Sequence, residues 1–212
     1  MAWALQLDGV NDRASFSAWT ATGDFTVSGK FTYNNATEVY LGDFTGSTHF
    51  VACISGGTVR ARVANVSINL AGFTAGDVVE YTLTRVGTGS NNITFTVGAS
   101  SATGTTNGSF VLDTFGTYAG GSLHYGGQVR GTTTLSRAGD VRTYDIDASS
   151  HSSGTVIVTD TTSLLNATGV NMPTDGSAWV DLGGGGGLTL VVPSIASLEA
   201  FGTPNIRRAQ EI

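Results

Sequence analysis

The residues that could do chemistry are few and scattered. Sugar hydrolysis needs two carboxylates about 5–5.5 Å apart across the scissile bond when configuration is retained. Asp145 and Asp147 lie two apart, which on a strand puts both on one face. Their plainer reading as turn or rim acids is preferred. A nucleophilic serine would announce itself in a Gly-x-Ser-x-Gly elbow, and none occurs. His49, His124 and His151 are far apart and lack a ligand spacing such as His-x-x-x-His. Cys53 is the only cysteine, so an intrachain disulfide is impossible and a thiolate zinc site lacks its partners. It sits in the apolar run Phe50 to Ile54, where a free cysteine behaves as a small hydrophobe. Catalysis is not expected.

The elements that must position these groups are strands. Val79, Tyr81 and Leu83 alternate with Glu80, Thr82 and Thr84, the period of a strand with one buried face. The same rhythm runs through Val59, Ala61 and Val63, and through Ile93, Phe95 and Val97. Further strands are expected over Trp3 to Leu7, Phe25 to Tyr33, Phe50 to Ile54, Val66 to Leu70, Leu123 to Val129 and Val141 to Ile146. Turn residues separate them at Asp8-Gly9, Ser55-Gly56-Gly57, Ala75-Gly76-Asp77 and Gly87 to Asn92. Upstream of Ser194, Gly, Thr and Val interrupt every window in which an amphipathic helix could form. The expected class is all-β.

With 40% hydrophobic and 12% charged residues, the 212-residue chain can bury a core and must build its polar surface from Thr, Ser, Asn and Gly. Lys30 is the only lysine and the net charge is −6, so no basic field is available to attract nucleic acid. No run of about 18 apolar residues offers a membrane-spanning helix. The opening MAWALQLD passes straight into a strand pattern, so no secretory signal is expected. The five glycines Gly183 to Gly187 read as a linker or exposed loop. Beyond them Leu188 to Val192 could form a strand and Ser194 to Ala200 a short helical turn. The expected division is a sandwich over 1–182 with a closing segment at 149–182, the glycine run at 183–187, and an attachment segment at 188–212.

Several segments, taken in order, resemble the laminin-G-like branch of the concanavalin A-like jelly rolls. Ala4 to Asp12 followed by Phe25 to Ser28 is similar to that family's first two strands and the Asp-Gly turn. Gly76 to Arg85 with Asn92 to Gly98 resembles its central hairpin, without the usual tryptophan. Gly126-Gly127-Gln128-Val129 and Asp140-Val141-Arg142-Thr143-Tyr144 resemble its late strand pattern, with an insertion between the halves. The resemblance spans roughly residues 2 to 148 and implies a jelly-roll β-sandwich of two antiparallel sheets. Asn166 to Trp179 looks like a closing segment found after such domains in phage and environmental bacterial proteins. Ile195 to Pro204 resembles a short tag of phage tail and other virion proteins.

What the resemblance implies is a non-catalytic phage virion protein, either capsid decoration, head fibre or tail appendage, made in the host cytoplasm and displayed on the particle surface. Its partners would be other virion proteins, copies of itself and host-surface glycans. Leu188, Leu190, Val192, Ile195, Leu198 and Phe201 would form the assembly interface. Such domains often hold Ca²⁺ at a loop rim, for which Asp8, Asp12, Asp43 and Asp140 are the candidates, against the plainer reading of turn aspartates. Glycan-stacking candidates are Trp19, Tyr33, Tyr40, Tyr118 and Tyr125, against the plainer reading of core aromatics. Hydrolase members of the fold carry a Glu-x-Asp-x-x-Glu signature, and none of Glu38, Glu80, Glu199 and Glu211 has that company. The competing readings are a bacterial carbohydrate-binding module and, behind it, a glycan-active enzyme.

Overall fold

A computed structural model describes residues 2–182, and no helix occurs among them. The strands of the first half are β1 (Trp3–Gln6), β2 (Arg13–Ala21), β3 (Phe25–Thr32), β4 (Glu38–Gly42), β5 (Phe50–Ile54), β6 (Thr58–Val63), β7 (Val66–Ala71), β8 (Val78–Arg85) and β9 (Ile93–Val97). They are followed by β10 (Ser100–Gly104), β11 (Phe110–Phe115), β12 (Thr117–Tyr118), β13 (Leu123–His124), β14 (Gln128–Arg137), β15 (Asp140–Asp145), β16 (Ile157–Asp160), β17 (Ala167–Val170) and β18 (Trp179–Asp181).

Apart from the small β12–β13 pair, these strands form one antiparallel ribbon in the order β10-β9-β8-β3-β14-β15-β16-β17-β2-β11-β4-β5-β6-β7, with β1 bridging β14 and β18. β16 joins the two halves, because its residues 157 and 158 pair with β17 while 159 and 160 pair with β15. The ribbon nearly closes. At its two ends β10 meets β7 so closely that a Cβ on Gly104 would lie 3.0 Å from the side chains of Val66 and Ile68. The strands of the segment 149–182 are woven into this ribbon through β15, β2 and β1.

One core fills the interior, and its aromatic rings come from both halves. Phe31 of β3 stacks on Tyr40 of β4 with centroids 4.5 Å apart, and Phe16 of β2 meets Tyr144 of β15 at 4.8 Å. Burial follows the alternation read in β6 and β8, where Val59, Ala61, Val63, Val79, Tyr81 and Leu83 are fully buried or nearly so. The structure interrupts one expected strand and adds strands that were not expected. Leu123 to Val129 is broken at Tyr125, whose hydroxyl turns inward to donate to the Thr32 carbonyl at 2.5 Å and accept the Thr32 N–H at 3.1 Å. Between the first two expected strands the structure adds β2, which pairs with β11 and β17. The glycine run and everything expected after it lie outside the described residues.

Candidate functional site

The outward face formed by β10, β9, β8, β3, β14 and β15 is built from hydroxyls. Register places Ser101, Thr96, Thr82, Ser28, Thr134 and Thr143 side by side in one row across the six strands. A second row, two residues along, runs Thr103, Thr94, Thr84, Thr26 and Ser136. None of these side chains is buried. Threonine suits the position because its branched Cβ fits an exposed pleated surface and cross-strand Thr pairs support each other. Neighbouring strands stand about 4.8 Å apart, so the rows form a dense hydrogen-bonding grid.

A break in the sheet opens a cavity in this grid. Arg130 pairs with Lys30 and Thr134 with Ser28, so Gly131, Thr132 and Thr133 of β14 all face the single residue Gly29 of β3. This bulge turns Thr133 into the core, where its hydroxyl bonds that of Tyr40 at 2.6 Å, and Gly131 takes a positive φ of 53°. The resulting cavity of about 400 Å³ is lined by Ser28, Gly29 and Lys30 of β3, Glu80, Tyr81 and Thr82 of β8, and Gly131 and Thr132 of β14. Lys30 and Glu80 form an ion pair at 3.2 Å on its rim, with both side chains substantially exposed. Behind Gly29 the hydroxyls of Tyr40, Tyr81 and Thr133 converge, within 2.8–3.0 Å of where a Cβ would sit. Only glycine fits there.

The sequence-derived calcium candidates do not converge. Asp8 accepts the N–H groups of Val10, Asn11 and Asp12 through one oxygen; burial opposes its charge, but those bonds hold its carboxyl below the ordinary range. Asp12 is the one candidate that lies near Asp8, and burial together with the Asp8 charge pushes its carboxyl up. Asp43 caps its own loop by accepting from the Thr45 and Gly46 N–H groups and the Thr45 hydroxyl. Asp140 is held by Arg137 at 3.0 Å and Arg142 at 3.2 Å. Among the described residues no group of three or more His, Cys, Asp or Glu is placed to hold a metal ion.

The glycan-stacking candidates are corrected by their burial. Trp19, Tyr33, Tyr40 and Tyr125 are 0% exposed and offer no face to a sugar ring. Trp19 and Tyr40 turn inward from β2 and β4, Tyr33 and Tyr125 from the segments beside β3 and β14, and polar tips are satisfied from within. The Tyr33 hydroxyl donates to the Ile54 carbonyl at 2.6 Å, and the Trp19 indole N–H points to the Asp140 carbonyl at 3.4 Å. Tyr118 is half-buried, with its ring edge against Phe50 at 5.0 Å. The assembly candidates Leu188, Leu190, Val192, Ile195, Leu198 and Phe201 lie outside the described residues.

The remaining reactive groups are also occupied. Asp145 accepts the N–H groups of Asp147 and Ala148, and Asp147 accepts that of Trp3 at 2.6 Å. His49 accepts the Ala64 N–H through Nδ1 at 3.2 Å, and burial pushes its pKa down. Cys53 is in the core, where burial pushes its thiol up to about 12. What sequence reading missed is the hydroxyl grid and the cavity within it. The grid draws ordinary serines and threonines from six strands, and the cavity draws its lining from three of them that are remote in sequence. No protein-family model matches the chain, and no match to it is found among curated proteins.

Proposed function

We propose that the chain is a non-catalytic structural protein of a phage virion, a laminin-G-like jelly roll displayed on the particle surface as capsid decoration, head fibre or tail appendage. The observation that carries this reading is the outward Ser/Thr grid on β10, β9, β8, β3, β14 and β15. A large neutral face rich in donors and acceptors suits association with polar, hydrated surfaces such as host glycans, and it lacks the apolar character of a buried contact. The nearly closed antiparallel ribbon supports the jelly-roll reading. Support for an associative role also comes from Asp145, Asp147 and His49, each engaged in holding a turn or a backbone N–H. The virion setting rests on the resemblance of Ile195 to Pro204 to a virion tag.

The competing reading, a bacterial carbohydrate-binding module, is favoured by the cavity at Gly29, since a module needs a ligand site and a scaffold does not. Light scattering on the full chain and on a chain ending at Gly183 separates the two. An oligomer that falls to monomer on truncation supports attachment through 188–212 and the virion role. A monomer in both cases favours the module.

A further inference from the structure

We infer that the cavity at the β14 bulge is a binding subsite for an uncharged pyranose. The inference deepens the associative reading above, and rests on it for its setting alone. A volume of about 400 Å³ lies at the small end of ligand sites, which run from about 300 to 1,000 Å³. Its lining is polar, and an apolar ligand would strand hydroxyls and an ion pair without partners. A ligand must therefore return hydrogen bonds on most of its edges, as a sugar ring does.

Charge narrows the class. Lys30 and Glu80 neutralise each other at 3.2 Å, so the rim carries no unmatched charge. Each is exposed enough to turn a donor or an acceptor toward vicinal hydroxyls. Ser28, Thr82 and Thr132 supply hydroxyls on three sides. No aromatic ring lies over the cavity, since Tyr81 faces the core at 1% exposure. The ring is therefore held by hydrogen bonds and not by stacking. The rows of Ser and Thr running away from the cavity on both sides give further residues of a glycan chain a continuous polar track.

The bulge is the device that makes the cavity. Three residues facing one leave a gap in the outer face, and Gly29, lacking a side chain, lets the inward hydroxyls of Thr133, Tyr40 and Tyr81 pack directly behind that gap.

Backbone amide NMR spectra of the full chain, titrated with the methyl glycosides of glucose, galactose, mannose and N-acetylglucosamine, test this. At least one is expected to shift the amides of Ser28 to Lys30, Glu80 to Thr82 and Gly131 to Thr132, with a dissociation constant on the order of 1 mM. Ser28→Trp, on the solvent side of β3, is expected to fill the cavity and abolish those shifts while leaving core amides in place. Lys30→Ala is expected to weaken binding about tenfold by removing one charge-assisted hydrogen bond. Absence of pocket shifts with all four sugars, or unchanged binding by Ser28→Trp, overturns the subsite. A stronger response to methyl glucuronide overturns the assignment to an uncharged ring. Particle attachment is read separately by the truncation experiment, so failure of one does not carry the other with it.

Discussion

Trp3 and His151 lie face to face, with ring centroids 4.3 Å apart and planes 10° from parallel. Trp179 closes on the other partner of this stack, its ring meeting His151 edge-on at 4.8 Å. The His151 Nε2–H donates to the Ile146 carbonyl at 2.6 Å, which fixes the ring between the two indoles. The stack thus ties the loop after β15 to the first strand and to the last described one. His151→Ala is expected to cost about 1–2 kcal/mol in urea denaturation, from a lost aromatic pair and hydrogen bond. His151→Phe, which retains the stack, is expected to recover part of it. Equal midpoints for the Ala variant and the native chain would show that the clasp contributes nothing.

Arg85 is buried at 2% exposure and donates to the carbonyls of three residues, Ala21, Gly23 and Gly108. Its Nε donates to Gly23 at 2.7 Å, its Nη1 to Gly108 at 2.5 Å, and its Nη2 to Gly23 and Ala21. A lysine ammonium cannot span these positions as a planar fork does. Arg85→Lys is expected to lower stability by about 2–4 kcal/mol through orphaned carbonyls. Thermal melts by circular dichroism read this directly, and a change of under about half a kcal/mol would mean that water replaces the guanidinium.

These two contacts mark what the sequence could and could not reveal. β8 was legible because Val79, Tyr81 and Leu83 keep one phase over its length. β2 was not, because its buried residues change phase, from Ala14 and Phe16 to Trp19 and Ala21, with Ser17 and Ala18 both exposed between them. The cause is a bulge in β2 itself, where Phe16, Ser17 and Ala18 oppose the single residue Asp113 of β11. β10 has no apolar alternation to read, since in Ser100 to Gly104 only Ala102 is an apolar side chain and the strand is set by its pairing with β9. The end of β14 was hidden by its bulge, which puts Thr133 inside where a hydrophobic residue would be sought. Aromatic residues were visible as candidates, but whether a ring faces core or solvent depends on strand phase at each position. The cavity was invisible because Ser28, Glu80 and Thr132 become neighbours only through pairing.

The loop acids are expected to leave the protein indifferent to calcium. Asp43 and Asp140 are committed to N–H groups and to arginines, and Asp8 and Asp12 form a pair without a third acid. A ligand that binds only the native state raises its melting temperature. Melts in millimolar CaCl₂ and in excess EDTA are therefore expected to coincide. A rise of more than about 2 °C with calcium would reveal a site that the loops assemble only around the ion.

Cys53 is expected to be silent toward thiol reagents in the native state. It is 0% exposed, and burial pushes its thiol up to about 12, so little thiolate exists at pH 8. Ellman's reagent is expected to react only as the chain unfolds, at the rate measured by fluorescence in the same urea concentration. Prompt reaction in buffer would place the β5 strand in frequent local opening.

Asp160 is expected to give the acid limb of the stability curve. The carboxyl is 0% exposed and accepts the N–H groups of Thr143 at 2.8 Å, Thr162 at 3.0 Å and Ser163 at 3.2 Å, together with the Ser163 hydroxyl. Burial alone would raise its pKa, but the hydroxyl and the three N–H groups outweigh burial and hold it below the ordinary carboxylate value. The unfolded chain titrates this group near about 3.9. A depressed folded value means that its stabilisation is fully present above the unfolded value and is lost as pH falls through the folded one. Asp160→Asn replaces one acceptor oxygen with a donor facing those same N–H groups, and is expected to cost about 1–3 kcal/mol at pH 7. The gap between native and variant urea midpoints is then expected to hold down to about pH 5 and to narrow below about pH 4, as the native carboxylate gains its proton. A gap that stays constant from neutral pH to strong acid would show that the carboxylate's charge has no part in anchoring β16 to the turn that follows it.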